Sequence, residues 1–124
     1  MHAFNYHRPT NVNDAAAQAA KSADAKVLAG GQSLVQAMKL RLAAPTDIVD
    51  IGMIKDLAGI KVDAKSVTIG AMTRHAEVAA SAEVKKAIPA LAALAGMIGD
   101  RQVRNMGTLG GSLANSDPAA DYPA

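Results

Sequence analysis

The chain has 124 residues, room for one ordinary domain; half of it is hydrophobic, but 28 of those residues are alanine and only Phe4, Tyr6 and Tyr122 are aromatic. A formal charge of +2, spread as seven basic and five acidic residues over 1–62 and six of each over 63–124, leaves no basic stripe for nucleic acid. The chain has no cysteine, which excludes disulfides and Cys-ligated iron–sulfur clusters on it. Residues 1–10 lack the apolar stretch of a signal peptide, and the longest apolar run, 87–99, is too short to span a bilayer and is broken by Pro89 and Gly96, so the expectation is a soluble cytoplasmic domain. An alanine-dominated core buries little area per residue, which predicts reliance on a cofactor, a partner or further sequence.

In chain order, Asn13 and Asp14 read as a helix start ahead of a helix-forming stretch from Ala15 to Ala25. Residues 26–29 (Lys-Val-Leu-Ala) read as a short buried strand, Gly30-Gly31-Gln32-Ser33 as a turn, and Leu34 to Leu42 as a helix that Ala44-Pro45 breaks. Asp47 to Ile51 alternates like a strand. Helix, strand, glycine loop, helix, strand is the order of a small α/β unit with parallel pairing. The pattern then changes: residues 60–62 and 67–70 flank Asp63-Ala64-Lys65-Ser66 as a β-hairpin. Thr73 is the expected N-cap of a helix running to Ala80, Ser81 that of the next with Glu83 in its first turn, and Pro89 opens a helix to Ile98. Arg104-Asn105-Met106 leads into a second glycine loop, 107–112. Asp121-Tyr122-Pro123-Ala124 reads as a cap and first turn with no helix after it, which predicts a longer parent chain.

Each glycine loop suits an anion: glycine lets backbone N–H groups approach a ligand closely, and a following helix N-terminus adds partial positive charge. The first, Ala29 to Ser33, holds no Lys or Arg, so anion binding there relies on backbone donors. The second ends in the hydroxyls of Thr108 and Ser112. Two such loops match the two phosphates of a dinucleotide, whereas either one alone reads first as a plain tight turn. Neither fits G-x-G-x-x-G or the P-loop, which disfavours the common NAD and ATP folds. On the residues alone two other readings stay open: a non-flavin nucleotide-binding module, and a non-catalytic interaction fragment that folds against partner chains. His2, His7 and His75 show no metal-ligand spacing.

The longer stretches are more specific. Tyr6-His7-Arg8-Pro9, then Ala-Gly-Gly-Gln-Ser-Leu-Val at 29–35 running to Arg41, Ile69-Gly70-Ala71-Met72-Thr73, and RNMGTLGGSLANSDPAADYPA at 104–124 together span the chain. This combination resembles the FAD-binding (medium) subunits of the molybdenum hydroxylase family, of the xanthine dehydrogenase and aerobic carbon monoxide dehydrogenase type. The resemblance implies an α+β fold of the vanillyl-alcohol oxidase/MurB type (PCMH-type FAD-binding), with a small α/β subdomain at 1–55 and a second, incomplete α+β subdomain at 56–124. It implies FAD as cofactor and a role in passing electrons from [2Fe–2S] clusters to an external acceptor. The iron–sulfur clusters and the molybdenum cofactor are then expected on a small and a large partner subunit, in a dimer of heterotrimers.

Carried over by position, Ala29, Gly30, Gly31, Gln32, Ser33 and Leu34 wrap the FAD pyrophosphate. Thr108, Gly110, Gly111 and Ser112 form a second wall, while Asn115 and Asp121 make polar contacts on the ribityl and phosphate side. Arg104 and Asn105 are expected to brace the second loop. No catalytic acid, base, nucleophile or metal ligand is expected, because the flavin ring carries the redox chemistry.

Overall fold

The computed structural model describes residues 1–122, and the chain divides into two units, Met1–Lys55 and Asp56–Ala124.

In the first unit, β1 (Asn5–His7), α1 (Val12–Ala19), β2 (Lys26–Leu28), α2 (Leu34–Lys39) and β3 (Asp47–Asp50) follow one another, and a 3-10 turn at Lys55–Leu57 comes next. The three strands form an all-parallel sheet in the order β1-β3-β2, with Tyr6 opposite Ile48 and Val27 opposite Val49. As the middle strand, β3 is the one whose side chains go inside on both faces: Ile48 and Val49 are both buried, with Met38 and Ala15 supplied by the two helices. Polar side chains fix β1 to β3. Asp47 Oδ1 lies 2.8 Å from His7 Nε2 and accepts from Asn5 Nδ2 at 3.2 Å, while the Tyr6 hydroxyl donates to the Asp50 carboxylate. The His7 contact, with a further bond from Thr46, holds the Asp47 carboxyl below its ordinary range.

Several boundaries differ from the sequence expectation. Strand β1 was not anticipated, because Asn5, Tyr6 and His7 carry no apolar alternation; its partner strand recruits it through the polar contacts above. Helix α1 is capped two residues earlier than expected, at Asn11, which accepts from the Asp14 N–H at 2.9 Å, and it ends at Ala19 rather than Ala25. The reason is Ser22: its hydroxyl takes the Asp24 N–H at 3.2 Å and its carbonyl the Ala25 N–H at 3.1 Å, a local turn that outcompetes helix propagation. Strand β2 is an edge, not a buried strand, and Val27 is 51% exposed. Helix α2 stops at Lys39, three residues short of Leu42. Arg41 adopts a left-handed conformation (φ 59°), and the Arg41 and Leu42 N–H groups return to Met38 O (3.1 Å) and Ala37 O (2.8 Å), a Schellman cap.

The second unit opens with the hairpin β4 (Ile60–Val62) and β5 (Val67–Ile69), paired antiparallel as Ile60–Ile69 and Val62–Val67. Asp63 closes its loop, accepting from the Lys65 and Ser66 N–H groups and the Ser66 hydroxyl at 2.7–2.8 Å, which holds its carboxyl low. Among the described residues five short helices follow: α3 (His75–Ala80), α4 (Ala82–Ala87), α5 (Pro89–Met97), α6 (Arg101–Met106) and α7 (Leu109–Asn115). Their core is Val78, Val84, Ala92 and Ala95, against which Ile60, Val67, Ile69, Leu91, Leu109 and Tyr122 pack. Ser81 caps α4 and Pro89 starts α5, as the sequence indicates.

Thr73 is not the cap of α3. It is buried, exchanging hydrogen bonds with the Gly59 backbone at 2.9 and 3.0 Å, and Arg74 takes the cap position with its N–H donating to Glu77 Oε2 at 2.8 Å. Arg104-Asn105-Met106, expected to lead into a loop, belong to α6, which Asp100 starts by accepting from the Val103 N–H at 2.8 Å.

Candidate functional site

Within the first unit, residues 29–33 connect the end of β2 to the start of α2. Gly31 sits at φ +75°, a conformation that L side chains rarely adopt, and a Cβ there would stand 3.0 Å from Val35 Cγ2. Its carbonyl accepts from the Val35 N–H at 3.2 Å, so the turn and the first bond of α2 are made by the same residue. The Gln32 side chain braces the loop by donating to Gly30 O at 3.4 Å. Among the described residues of this unit, none accepts a hydrogen bond from the backbone N–H of Gly30, Gly31, Gln32 or Ser33. Ser33 stands at the cap position of α2, yet its hydroxyl makes no capping bond. Four backbone donors and a hydroxyl in five residues, with no carboxylate among them, are a donor set for an anion such as pyrophosphate. Helix α2 is six residues long, too short to add much dipole, so the amides themselves are the donors.

The second glycine stretch is not a loop. Thr108 caps α7, accepting from the Gly111 N–H at 3.1 Å, and Gly110, Gly111 and Ser112 lie within the helix. Two glycines in a short helix cost about 1 kcal/mol each in propensity; tertiary bonds offset this, because the Leu109 N–H donates to Thr73 O at 3.0 Å and the Gly110 N–H to Ala71 O at 2.9 Å. Gly110 is glycine for want of space, since a Cβ would fall 2.6 Å from the Ala71 carbonyl oxygen and its Cβ. Thr108 is buried, and the amides of residues 109–112 all have protein acceptors. What this stretch presents outward is therefore side chains: half-buried Ser112, then exposed Asn115 on the last turn of α7 and exposed Asp121 beyond it. A cavity of about 270 Å³ opens beside this face, lined among others by Ser112, Ser116, Asp117 and Tyr122.

Arg104 and Asn105 do not brace the glycine stretch. Arg104 Nη1 donates to Ile98 O (3.1 Å) and Gly99 O (3.3 Å), tying off the α5–α6 turn, and Asn105 bonds back to Arg101 O at 2.7 Å within α6. The first turn expected after Asp121 runs into Pro123 and Ala124, which lie outside the described residues.

One pair escaped the sequence reading. His75 is buried, with Nδ1 2.9 Å from the Tyr122 hydroxyl and ring centroids 5.3 Å apart at 49°. Burial holds the His75 imidazole below its ordinary pKa, with the nearby Asp121 charge pulling the other way. Burial and the same carboxylate push the Tyr122 phenol up to about 12. The signal that could have found the pair is scarcity: Tyr122 is one of three aromatic residues in the chain and stands beside a proposed contact residue.

Among the described residues no helix is long and apolar enough to cross a membrane. The family model described as "FAD binding domain in molybdopterin dehydrogenase" matches residues 2–124. The carbon monoxide dehydrogenase medium chain of Hydrogenophaga pseudoflava is 45% identical over 98% of this chain and 42% of its own length. The glyceraldehyde dehydrogenase medium chain of Sulfolobus acidocaldarius is 39% identical over 97% of this chain and 43% of its own length. Among solved structures, a Hydrogenophaga pseudoflava carbon monoxide dehydrogenase lacking the Mo-pyranopterin moiety of its cofactor superposes with a TM-score of 0.94 at 46% identity, covering 98% of this chain and 42% of that one. The chain thus spans less than half the length of the relatives it matches. A match along nearly the whole chain, carried equally by sequence and by fold, places it in the family of FAD-binding domains of molybdopterin dehydrogenases.

Proposed function

We propose that the chain is part of the flavin-binding subunit of a molybdenum hydroxylase, of the vanillyl-alcohol oxidase/MurB domain type, with residues 1–55 and 56–124 as its two FAD-binding subdomains. The observation that carries this reading is the set of uncommitted backbone donors at Gly30, Gly31, Gln32 and Ser33 in a chain of this family. In this reading Ala29 to Leu34 wrap the pyrophosphate, with the amides and the Ser33 hydroxyl donating to its oxygens and Gly31 allowing close approach.

The second unit contributes Ser112, Asn115 and Asp121 as polar contacts, while Thr108, Gly110 and Gly111 set the start of α7 and with it the direction of that helix. The Asp121 carboxylate accepts from sugar hydroxyls rather than facing phosphate, since like charges repel. Bound FAD supplies the electron-transfer chemistry, and the protein orients it and tunes its surroundings. Electrons arrive from [2Fe–2S] clusters on a small partner subunit and leave for an external acceptor. Substrate oxidation belongs to a molybdenum-bearing large partner, in a dimer of heterotrimers in the cytoplasm. The relatives named for carbon monoxide and for glyceraldehyde share this kind of chain, which supports substrate choice residing elsewhere.

Titration of the purified chain with FAD, and with FMN and ADP as controls, followed by flavin fluorescence and by dialysis, tests the reading. Saturable binding that prefers FAD to both controls is expected. ADP binding as tightly as FAD, or no FAD binding by a chain that circular dichroism shows folded, overturns it.

A further inference from the structure

The geometry points to His75 as a positioning residue for the candidate flavin site, anchoring through Tyr122 the segment that carries Asp121. This rests on the flavin-binding reading above and adds to it a residue that touches neither cofactor nor substrate.

Helix α7 is capped by Ser116, whose left-handed backbone (φ 50°, ψ 36°) turns the chain away from the helix axis. From there to Tyr122 the bonds are local: the Ala119 N–H to Asp117 Oδ1 at 2.9 Å and the Ala120 N–H to Asp117 O at 3.0 Å. Among the described residues of this unit, one hydrogen bond ties 117–122 to anything outside itself, that of the Tyr122 hydroxyl with His75 Nδ1. The Tyr122 ring adds its packing on the core of Val78, Val84, Ala92 and Ala95. Asp121, exposed and one residue away, takes its place from that anchor.

His75 is itself held rigidly. It opens α3, its N–H donates to Gly107 O at 3.1 Å, and a Cβ on Gly107 would stand 2.8 Å from Nε2, so the backbone of residue 107 backs the ring. A ring fixed on one side by backbone and on the other by a phenol is a poor hinge and a good peg. A carboxylate that must meet sugar hydroxyls within hydrogen-bond tolerance gains from such a peg, because the ordering is done before the ligand arrives.

The test compares His75→Leu, His75→Asn, Tyr122→Phe and Asp121→Asn, and pairs Asp121→Asn with each of the first three. FAD affinity, amide hydrogen exchange at 117–122 and circular dichroism are read for each. His75→Leu and Tyr122→Phe are expected to weaken FAD about tenfold, the worth of one hydrogen bond, and to speed exchange at 117–122 with helix content unchanged. His75→Asn, whose amide can reach the place of Nδ1, restores most of the affinity. Asp121→Asn is expected to cost less in the His75→Leu background than in the native chain, because His75 acts through it. Tyr122→Phe keeps the ring packing and guards against a variant that fails to fold. Equal losses for His75→Leu and His75→Asn, full additivity with Asp121→Asn, or unchanged affinity in Tyr122→Phe each overturn the inference while leaving native FAD binding intact. A folded native chain that binds no FAD overturns the flavin reading itself, and faster exchange in Tyr122→Phe would then show an anchor serving some other end, against the role assigned here.

Discussion

Gly110 shows how a residue can look like a ligand contact and serve a packing need. Its missing side chain lets α7 close on Ala71, where a Cβ would come within 2.6 Å of a carbonyl oxygen that cannot swing away. Gly110→Ala should destabilise the second unit by roughly 1–3 kcal/mol, the usual range for overpacking a fixed site, measured as a shift in denaturant midpoint; an unchanged midpoint would mean that α7 can retreat without loss. His75 carries a pH signature of its own. Its folded pKa lies below that of a free imidazole, near 6.5, so the neutral form favours folding, and that contribution is complete above the free value and drains away as pH falls through it. Thermal melts should be level from pH 8 to about 6.5, the free imidazole value, and show stability falling from there towards pH 5, with His75→Asn flattening that lower slope. Little of this was legible in the sequence. A histidine after Thr73-Arg74 carries no periodic or spacing signal, and its partner is 47 residues away.

At the level of elements, legibility followed the range of the interactions. The hairpin at 60–69, the Ser81 cap and the Pro89 start are written in neighbouring residues, and the structure has them in place. Helix α7 is held by bonds to Ala71 and Thr73, more than thirty residues earlier in the chain, so its own glycines argued for a loop. The candidate site divides the same way. The loop at 29–33 was visible because glycines between a strand and a helix are a local pattern, while the different character of 108–112 depended on contacts that only folding creates. Helix α2 offers a further prediction. Arg41 occupies the left-handed position of a Schellman cap at φ 59°, where glycine pays no Cβ penalty. Arg41→Gly should stabilise the first unit by about 0.5–1 kcal/mol net of glycine's extra chain entropy, seen as a higher midpoint; a lower one would show that the arginine side chain makes up for its backbone.

For the molecule as a whole, the alanine-rich composition gives a small core. The buried apolar residues are ten in number among those described, three of them alanine, with no aromatic side chain. Such a protein has much to gain from a ligand that binds only the folded form. FAD at a hundredfold excess over its dissociation constant should add about 2.7 kcal/mol, on the order of 10 °C in melting temperature for a domain of this size. Scanning calorimetry across an FAD series checks this, and a melting temperature independent of FAD would show that whatever binds does not favour the folded state. The order of an α/β unit followed by a hairpin and helices could be read from changes in hydrophobic period.

Strand β3 is last of its unit in sequence and middle in space, and that bears on how the unit comes into being. Strands β1 and β2 have no pairing with each other; each waits for Asp47–Asp50. On a ribosome adding about 5–20 residues per second, the first two strands leave the tunnel with their hydrogen bonds unmade and remain so for seconds, until the central strand joins them. The first unit therefore assembles in one late event rather than strand by strand, and its vulnerable interval is set by translation speed through residues 26–50.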